Sequence, residues 1–129
     1  MTPRFRAYDS GSLCRMYRPE EVLVGDSDIW IFDEDSEGNE WIVNNDLELM
    51  QSTGLFDKNG KEIFEGDIVD YNGRTAVVKW HGSYASFVYM FVDELRSRNQ
   101  EWDPLYLSYL HFQVVGNKFE TPALLEVDS

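Results

Sequence analysis

Along most of the chain, apolar residues either alternate with polar ones or gather in short β-branched and aromatic runs, and turn residues separate these runs at intervals of roughly ten positions. Residues 5–8 (FRAY) and 13–17 (LCRMY) alternate on either side of Ser10-Gly11, which predicts an N-terminal hairpin. Pro19 ends that pattern, and residues 20–24 (EEVLV) are too short to assign. Residues 29–32 (IWIF) and 41–43 (WIV) flank an acidic loop and predict a second hairpin. Asn44-Asn45-Asp46 breaks it, and residues 46–53 fit a helical or an extended connector equally. Residues 68–71 and 75–80 are joined by Asn72-Gly73, the signature of a hairpin with a two-residue turn. His81-Gly82-Ser83 then turns the chain into a long aromatic strand over 84–92. Residues 93–104 are polar and irregular, residues 105–110 and 112–115 regain strand character, and 121–125 (TPALL) predict a single helical turn. This succession of short strands favours a barrel over a βαβ layout.

The most informative stretch runs from residue 49 to 69, LMQSTGLFDKNGKEIFEGDIV. Asp57-Lys58-Asn59-Gly60 is a dense turn signal, because Asn and Gly tolerate the positive φ of tight turns. Ile63-Phe64 and Ile68-Val69 lie on either side of Glu65-Gly66-Asp67, so the chain is expected to bend at the glycine and bury both apolar pairs, as at the corner of a small barrel.

With FRAYD at residues 5–9 and VVGNKFETPALLE at 114–126, this stretch resembles the YopX family of bacteriophage and prophage proteins in three blocks at the start, middle and end. The resemblance implies a phage gene product with an SH3-type barrel in its C-terminal part, and it implies no established chemistry. The fold expected is therefore mainly β: an SH3-like small barrel over residues 46–129, preceded by a β-rich N-terminal segment over 1–45 that carries the acidic loop.

A hydrophobic content of 43% with 15% aromatics over 129 residues suffices for a packed core. No apolar run approaches the length that spans a bilayer, and no apolar signal core follows the first residues, so neither a membrane nor export is expected. The single Cys14 forms no internal disulfide, in keeping with the reducing cytoplasm of a bacterial host cell, and is expected to be a partly buried small hydrophobe. Charge changes the picture more. The net charge is −13, Arg4, Arg6, Arg15 and Arg18 make the first segment basic, and residues 20–48 hold eleven Asp and Glu with no Lys or Arg. Phosphate backbones reward Lys and Arg, so this balance argues against nucleic acid as a partner; it favours solubility and attraction to basic protein surfaces, and its plain reading is a solvated acidic face.

Candidate chemistry is sparse. Asp33, Asp35 and Glu37, with Gly38, fill the first positions of an EF-hand-like loop, but its twelfth position is Asn44 instead of a bidentate Glu, and strands flank it where helices should; a surface acidic loop is expected, not a calcium site. Cys14, His81 and His111 offer no close-spaced pair for zinc, His81 being expected exposed in a turn and His111 structural between strands. No serine triad, distinctive carboxylate pair or phosphate loop is present, so neither an enzyme nor a cofactor is expected. What remains is an aromatic group that includes Tyr71, Trp80 and Tyr84, of which alternation sends about half into the core and leaves the outward half for a groove or interface, and the acidic group Asp33, Glu34, Asp35 and Glu37. Together these are the candidate interaction surface of a non-enzymatic accessory protein that binds a host or phage protein. The alternative is a nucleic-acid-binding barrel that stacks bases on its aromatic face. The basic start and acidic continuation also lead us to expect a homo-oligomer with the N-terminal strands in its interface.

Overall fold

The computed structural model describes residues 4–11, 13–33, 37–38, 40–95 and 101–126. The chain is mainly β, as the hydrophobic pattern predicts. It divides into two compact units, Met1–Ser52 and Thr53–Ser129. The division falls inside one long strand, seven residues past the break read at Asn44-Asn45-Asp46 when counted from Asp46 on the chain numbering.

In the first unit, β1 (Phe5–Asp9) lies between β2 (Arg15–Tyr17) and the start of β6 (Glu48–Phe56), with Ala7 opposite both Tyr17 and Leu49. A 3-10 turn, Pro19–Glu21, follows β2. Its Glu21 is buried, accepts a hydrogen bond from the Arg18 backbone N–H and is paired with Arg15 at 2.6 Å. Local basic and acidic residues thus meet within the unit. The chain then meanders through β3 (Val22–Gly25), β4 (Asp28–Asp33) and β5 (Glu40–Val43), an antiparallel three-stranded sheet. Asp26 and Ser27 join β3 to β4 at φ of 52° and 67°, the doubly positive geometry whose twist matches that of paired strands. Ala7, Tyr17, Val22, Ile31 and Leu47 form the core, with Phe5, Ile29 and Leu49 packed against them.

In the second unit, residues 53–56 run beside β7 (Glu62–Phe64), where the Thr53 hydroxyl donates to the Ile63 carbonyl at 2.7 Å. Five further strands follow: β8 (Asp67–Tyr71), β9 (Arg74–His81), β10 (Ser86–Phe91), β11 (Asp103–Pro104) and β12 (Phe112–Asn117). They form one antiparallel sheet in the order β11-β10-β9-β8-β12, curled into a half-barrel. Ile63, Val69, Ala76, Val78, Tyr89, Leu105, Phe112 and Val114 fill its core. Asn72 and Gly73 take φ of 50° and 93°, as the expected tight turn requires. Gly66, at φ 89°, makes the expected bend, with Ile63, Phe64, Ile68 and Val69 all buried around it.

Asp57 carries the turn before β7. It is buried, and one carboxylate oxygen accepts the N–H groups of Asn59 and Lys61 at 2.9 and 2.8 Å while the other accepts Val114 N–H at 2.9 Å. Burial pushes its pKa up, but the backbone donors of Val114, Lys61 and Asn59, helped by the Lys61 charge, outweigh burial and hold it below the ordinary value.

Four expectations are corrected. Residues 105–110 are two 3-10 turns, Leu105–Leu107 and Tyr109–His111, rather than a strand. Only Leu105 of that run is buried, so Leu107 and Leu110 never acquire the shared inward face that a strand needs. Cys14 is exposed instead of partly buried, because it closes the β1–β2 loop in the left-handed region at φ 47°. His81 ends β9 half-buried rather than standing free in a turn, and His111 is exposed at the end of its 3-10 turn. The undecided connector proves to be the first part of β6.

Candidate functional site

The β3-β4-β5 sheet presents two faces, and the register assigns every side chain to one of them. Val22, Ile31 and Ile42 lie opposite one another across the three strands, and Ile29 shares their face two residues along β4. Val22, Ile29 and Ile31 of this face enter the core of the unit. The other face carries the row Leu23, Trp30, Val43 and, beside it, the pair Phe32 and Trp41. The Phe32 and Trp41 rings meet at 5.4 Å between centroids with planes tilted by 59°. Leu23, Trp41 and Val43 are 55, 37 and 44% exposed, and Trp30 and Phe32 are half-buried. Single exposed hydrophobes are ordinary, but five contiguous apolar side chains, three of them aromatic, on one sheet face are not. Fully burying a side chain of this size contributes about 1.5–3 kcal/mol, and this face leaves part of that unused at each position.

The far end of this sheet is held by side-chain amides. Asn45 accepts from Ile29 N–H and donates to Asp28, both at 2.8 Å, and Asn44 accepts from Asp46 N–H at 3.1 Å. Acidic residues crowd the turns and ends of this sheet: Asp26 in the β3–β4 turn, Asp28 and Asp33 at the ends of β4, exposed Glu37 and Glu40, and Asp46; alternation sets Asp28 with the Trp30 face and Asp33 and Glu40 with the Ile31–Ile42 face. Asp33 and Glu40 stand opposite each other across β4 and β5. Beside Ile42 on the core-side face lies a cavity of about 130 Å³, bordered by Leu13, Tyr17, Ile31, Arg15 and Asp33.

The structure separates the residues singled out from sequence. Asp33 and Glu37 belong to the acidic end of this sheet, while Glu34 and Asp35 lie outside the described residues. Tyr71 is partly buried and packs against the core of the second unit, its ring 5.3 Å from Phe112 and 6.1 Å from Tyr89. Trp80 is half exposed and packs edge-on against Phe87 at 5.0 Å. Tyr84 joins His81 and Trp102 in a cluster whose ring centroids are all 4.8 Å apart. Consecutive Trp80 and His81 project to opposite faces of β9, so Tyr71, Trp80 and Tyr84 do not form one aromatic groove. Sequence reading missed Leu23, Trp30, Phe32, Trp41 and Val43 as a group. The signal was the pair of runs IWIF and WIV, each apolar at consecutive positions where a one-faced strand would alternate.

Among the described residues no three His, Cys, Asp or Glu side chains are grouped to hold a metal ion, and no helix is long and apolar enough to cross a membrane.

Fold and surface thus define a two-unit β protein with an open apolar sheet whose turns and ends are acidic. The YopX protein family model matches residues 4–126, and the chain belongs to that family. It is also similar to the crystal structure of protein EF1440 from Enterococcus faecalis, at 26% sequence identity and a TM-score of 0.62, covering 98% of this chain and 99% of that one. No match was found among curated proteins.

Proposed function

We propose that this protein is a non-enzymatic accessory protein of phage or prophage origin that acts in the cytoplasm of a bacterial host by binding another protein. The finer assignment of its half-barrel to the SH3 type belongs to the same reading. The observation that carries the proposal is the partly exposed apolar face of Leu23, Trp30, Phe32, Trp41 and Val43 on a sheet whose turns and ends are acidic. Such a face combines the apolar centre and polar surround of a protein-binding site, and its charge favours a partner with Lys and Arg around an apolar patch. The nucleic-acid alternative has weaker support, because Tyr71, Trp80 and Tyr84 do not share a groove and the net charge is −13.

Affinity capture from host cells, comparing the natural chain with a Trp41→Ser, Val43→Ser variant, tests the proposal. A protein retained by the natural chain and lost by the variant is the expected result. Equal retention by both would remove this face from the account. A gel shift with single-stranded and duplex DNA separates the alternative, which alone expects salt-sensitive binding.

A further inference from the structure

We infer that the free edge of β5 accepts an extended segment of the partner as a fourth strand, and that this segment carries three successive apolar residues followed by a Lys or Arg. The inference rests on the protein-binding reading of this sheet and specifies how its partner is held.

The phase of the β4–β5 ladder decides which groups face outward. Asn44 N–H donates to the Ile29 carbonyl at 2.9 Å, in line with the register that sets Val43 opposite Trp30 and Ile42 opposite Ile31. In an antiparallel ladder, hydrogen-bonded pairs alternate with non-bonded ones, so Ile42 and Glu40 direct their main-chain groups toward β4. Trp41 and Val43 therefore direct theirs away from it, at the outer margin of the sheet. β5 is a terminal strand in the order β3-β4-β5, and all four of its residues are exposed. It is short and carries Glu40, but its sequence Glu-Trp-Ile-Val contains neither Lys nor Pro, so the N–H groups of Trp41 and Val43 are present for pairing.

The side-chain environment specifies the occupant. Partner residues opposite Trp41 and Val43 would extend the exposed apolar face. The residue between them, opposite Ile42, would point to the other face, where the cavity of about 130 Å³ lies. A space of that volume admits one aliphatic side chain against Leu13, Tyr17, Ile31 and Ile42, with Arg15 and Asp33 at its border. The next residue on that same face stands opposite Glu40, whose own neighbour across the sheet is Asp33. Arg15 already borders the cavity beside Asp33, but residues 20–48, with eleven acidic residues and no Lys or Arg, keep the net charge around this position negative, which favours a cation in the partner. An antiparallel partner strand thus reads apolar, apolar, apolar, basic from its N-terminal end, and main-chain pairing supplies affinity while these positions supply specificity.

The test uses the full chain and a capped synthetic peptide with Val-Leu-Val-Arg at its centre. Binding should slow amide exchange at Trp41 and Val43 and leave Ile42 and Glu40, already bonded to β4, unchanged. N-methylation of the two valines preserves every side chain but removes both inward donors, and should weaken binding about 100-fold. Glu in place of Arg should weaken it about ten-fold at low salt. In the protein, Val43→Pro removes an edge N–H without removing a β4 ladder bond, so it should reduce binding about ten-fold with the fold intact. Binding that ignores N-methylation and leaves edge exchange unchanged overturns strand addition while the apolar-face reading stands. Protection of Trp41 and Val43 that grows with protein concentration, without peptide, assigns the edge to a second copy and also overturns it. So does the absence of binding at about millimolar peptide, in which case the capture comparison still decides whether the face is used.

Discussion

The two units use the same residue types in opposite ways. In Thr53–Ser129 the rings of Tyr71, Tyr89, Phe91 and Phe112 pack on one another at 4.9–6.2 Å, and Asp57 is satisfied by three backbone donors. In Met1–Ser52 the rings of Trp30, Phe32 and Trp41 lie on the side of a three-stranded sheet that faces away from that unit's core. Aromatic content therefore says little about where a surface lies. What distinguishes the units is the phase of each strand relative to its core: β9 and β10 turn Val78 and Tyr89 inward, whereas β4 turns Ile29 and Ile31 inward and Trp30 and Phe32 outward.

The contrast implies that substitutions in the core of the second unit cost more stability than those on the partly exposed sheet. Asp57→Ala should have the largest effect, a loss of about 3 kcal/mol, because it strands the N–H groups of Asn59, Lys61 and Val114. Chemical denaturation measures it, and a loss below about 1 kcal/mol would mean that the buried turn is not what holds this unit. Gly73→Val should follow at about 1–2 kcal/mol, since a β-branched residue resists φ of 93°; an unchanged thermal midpoint would contradict the tight turn.

Acid sharpens the same contrast. A carboxylate whose folded pKa lies below its unfolded value adds stability that is complete above the unfolded value, 3.8, and is lost as pH falls through the folded one. Thermal midpoints should therefore drop as pH falls below about 4, and Asp57→Asn should flatten that part of the profile. A profile unchanged by Asp57→Asn would assign the acid loss to other carboxylates. The smallest effect belongs to Trp41→Ser, about 1 kcal/mol, as a side chain that packs on Phe32 but is 37% exposed and lies outside the core. A loss above about 2 kcal/mol would show that this face serves folding rather than binding.

Much of this was legible in the sequence because it rests on local chemistry. Asn72-Gly73 and Gly66 announced their turns through the φ they must adopt, and alternation on either side of Ser10-Gly11 announced β1 and β2. The three family blocks read at 5–9, 49–69 and 114–126 fall within the matched span. The strand over residues 22–25 escaped assignment because its partner, β4, and the Asp26-Ser27 turn had to be known before four residues could count as a strand. Residues 105–110 misled because apolar character alone does not say that a chain is extended. The interaction surface escaped for a related reason. IWIF and WIV are apolar at every position, so only the register with β3 shows which rings leave the core. Asp57 looked like any turn residue, since the Val114 donor lies 57 positions away.

The central claim is that the first unit's exposed sheet, not the aromatic residues of the second, meets the partner. Photo-crosslinking inside host cells compares them directly, with p-benzoylphenylalanine placed at Trp41 in one chain and at Trp80, itself 50% exposed, in another. The account predicts a discrete adduct with one basic protein from position 41 and none from position 80. An adduct from position 80 with none from position 41 would contradict it.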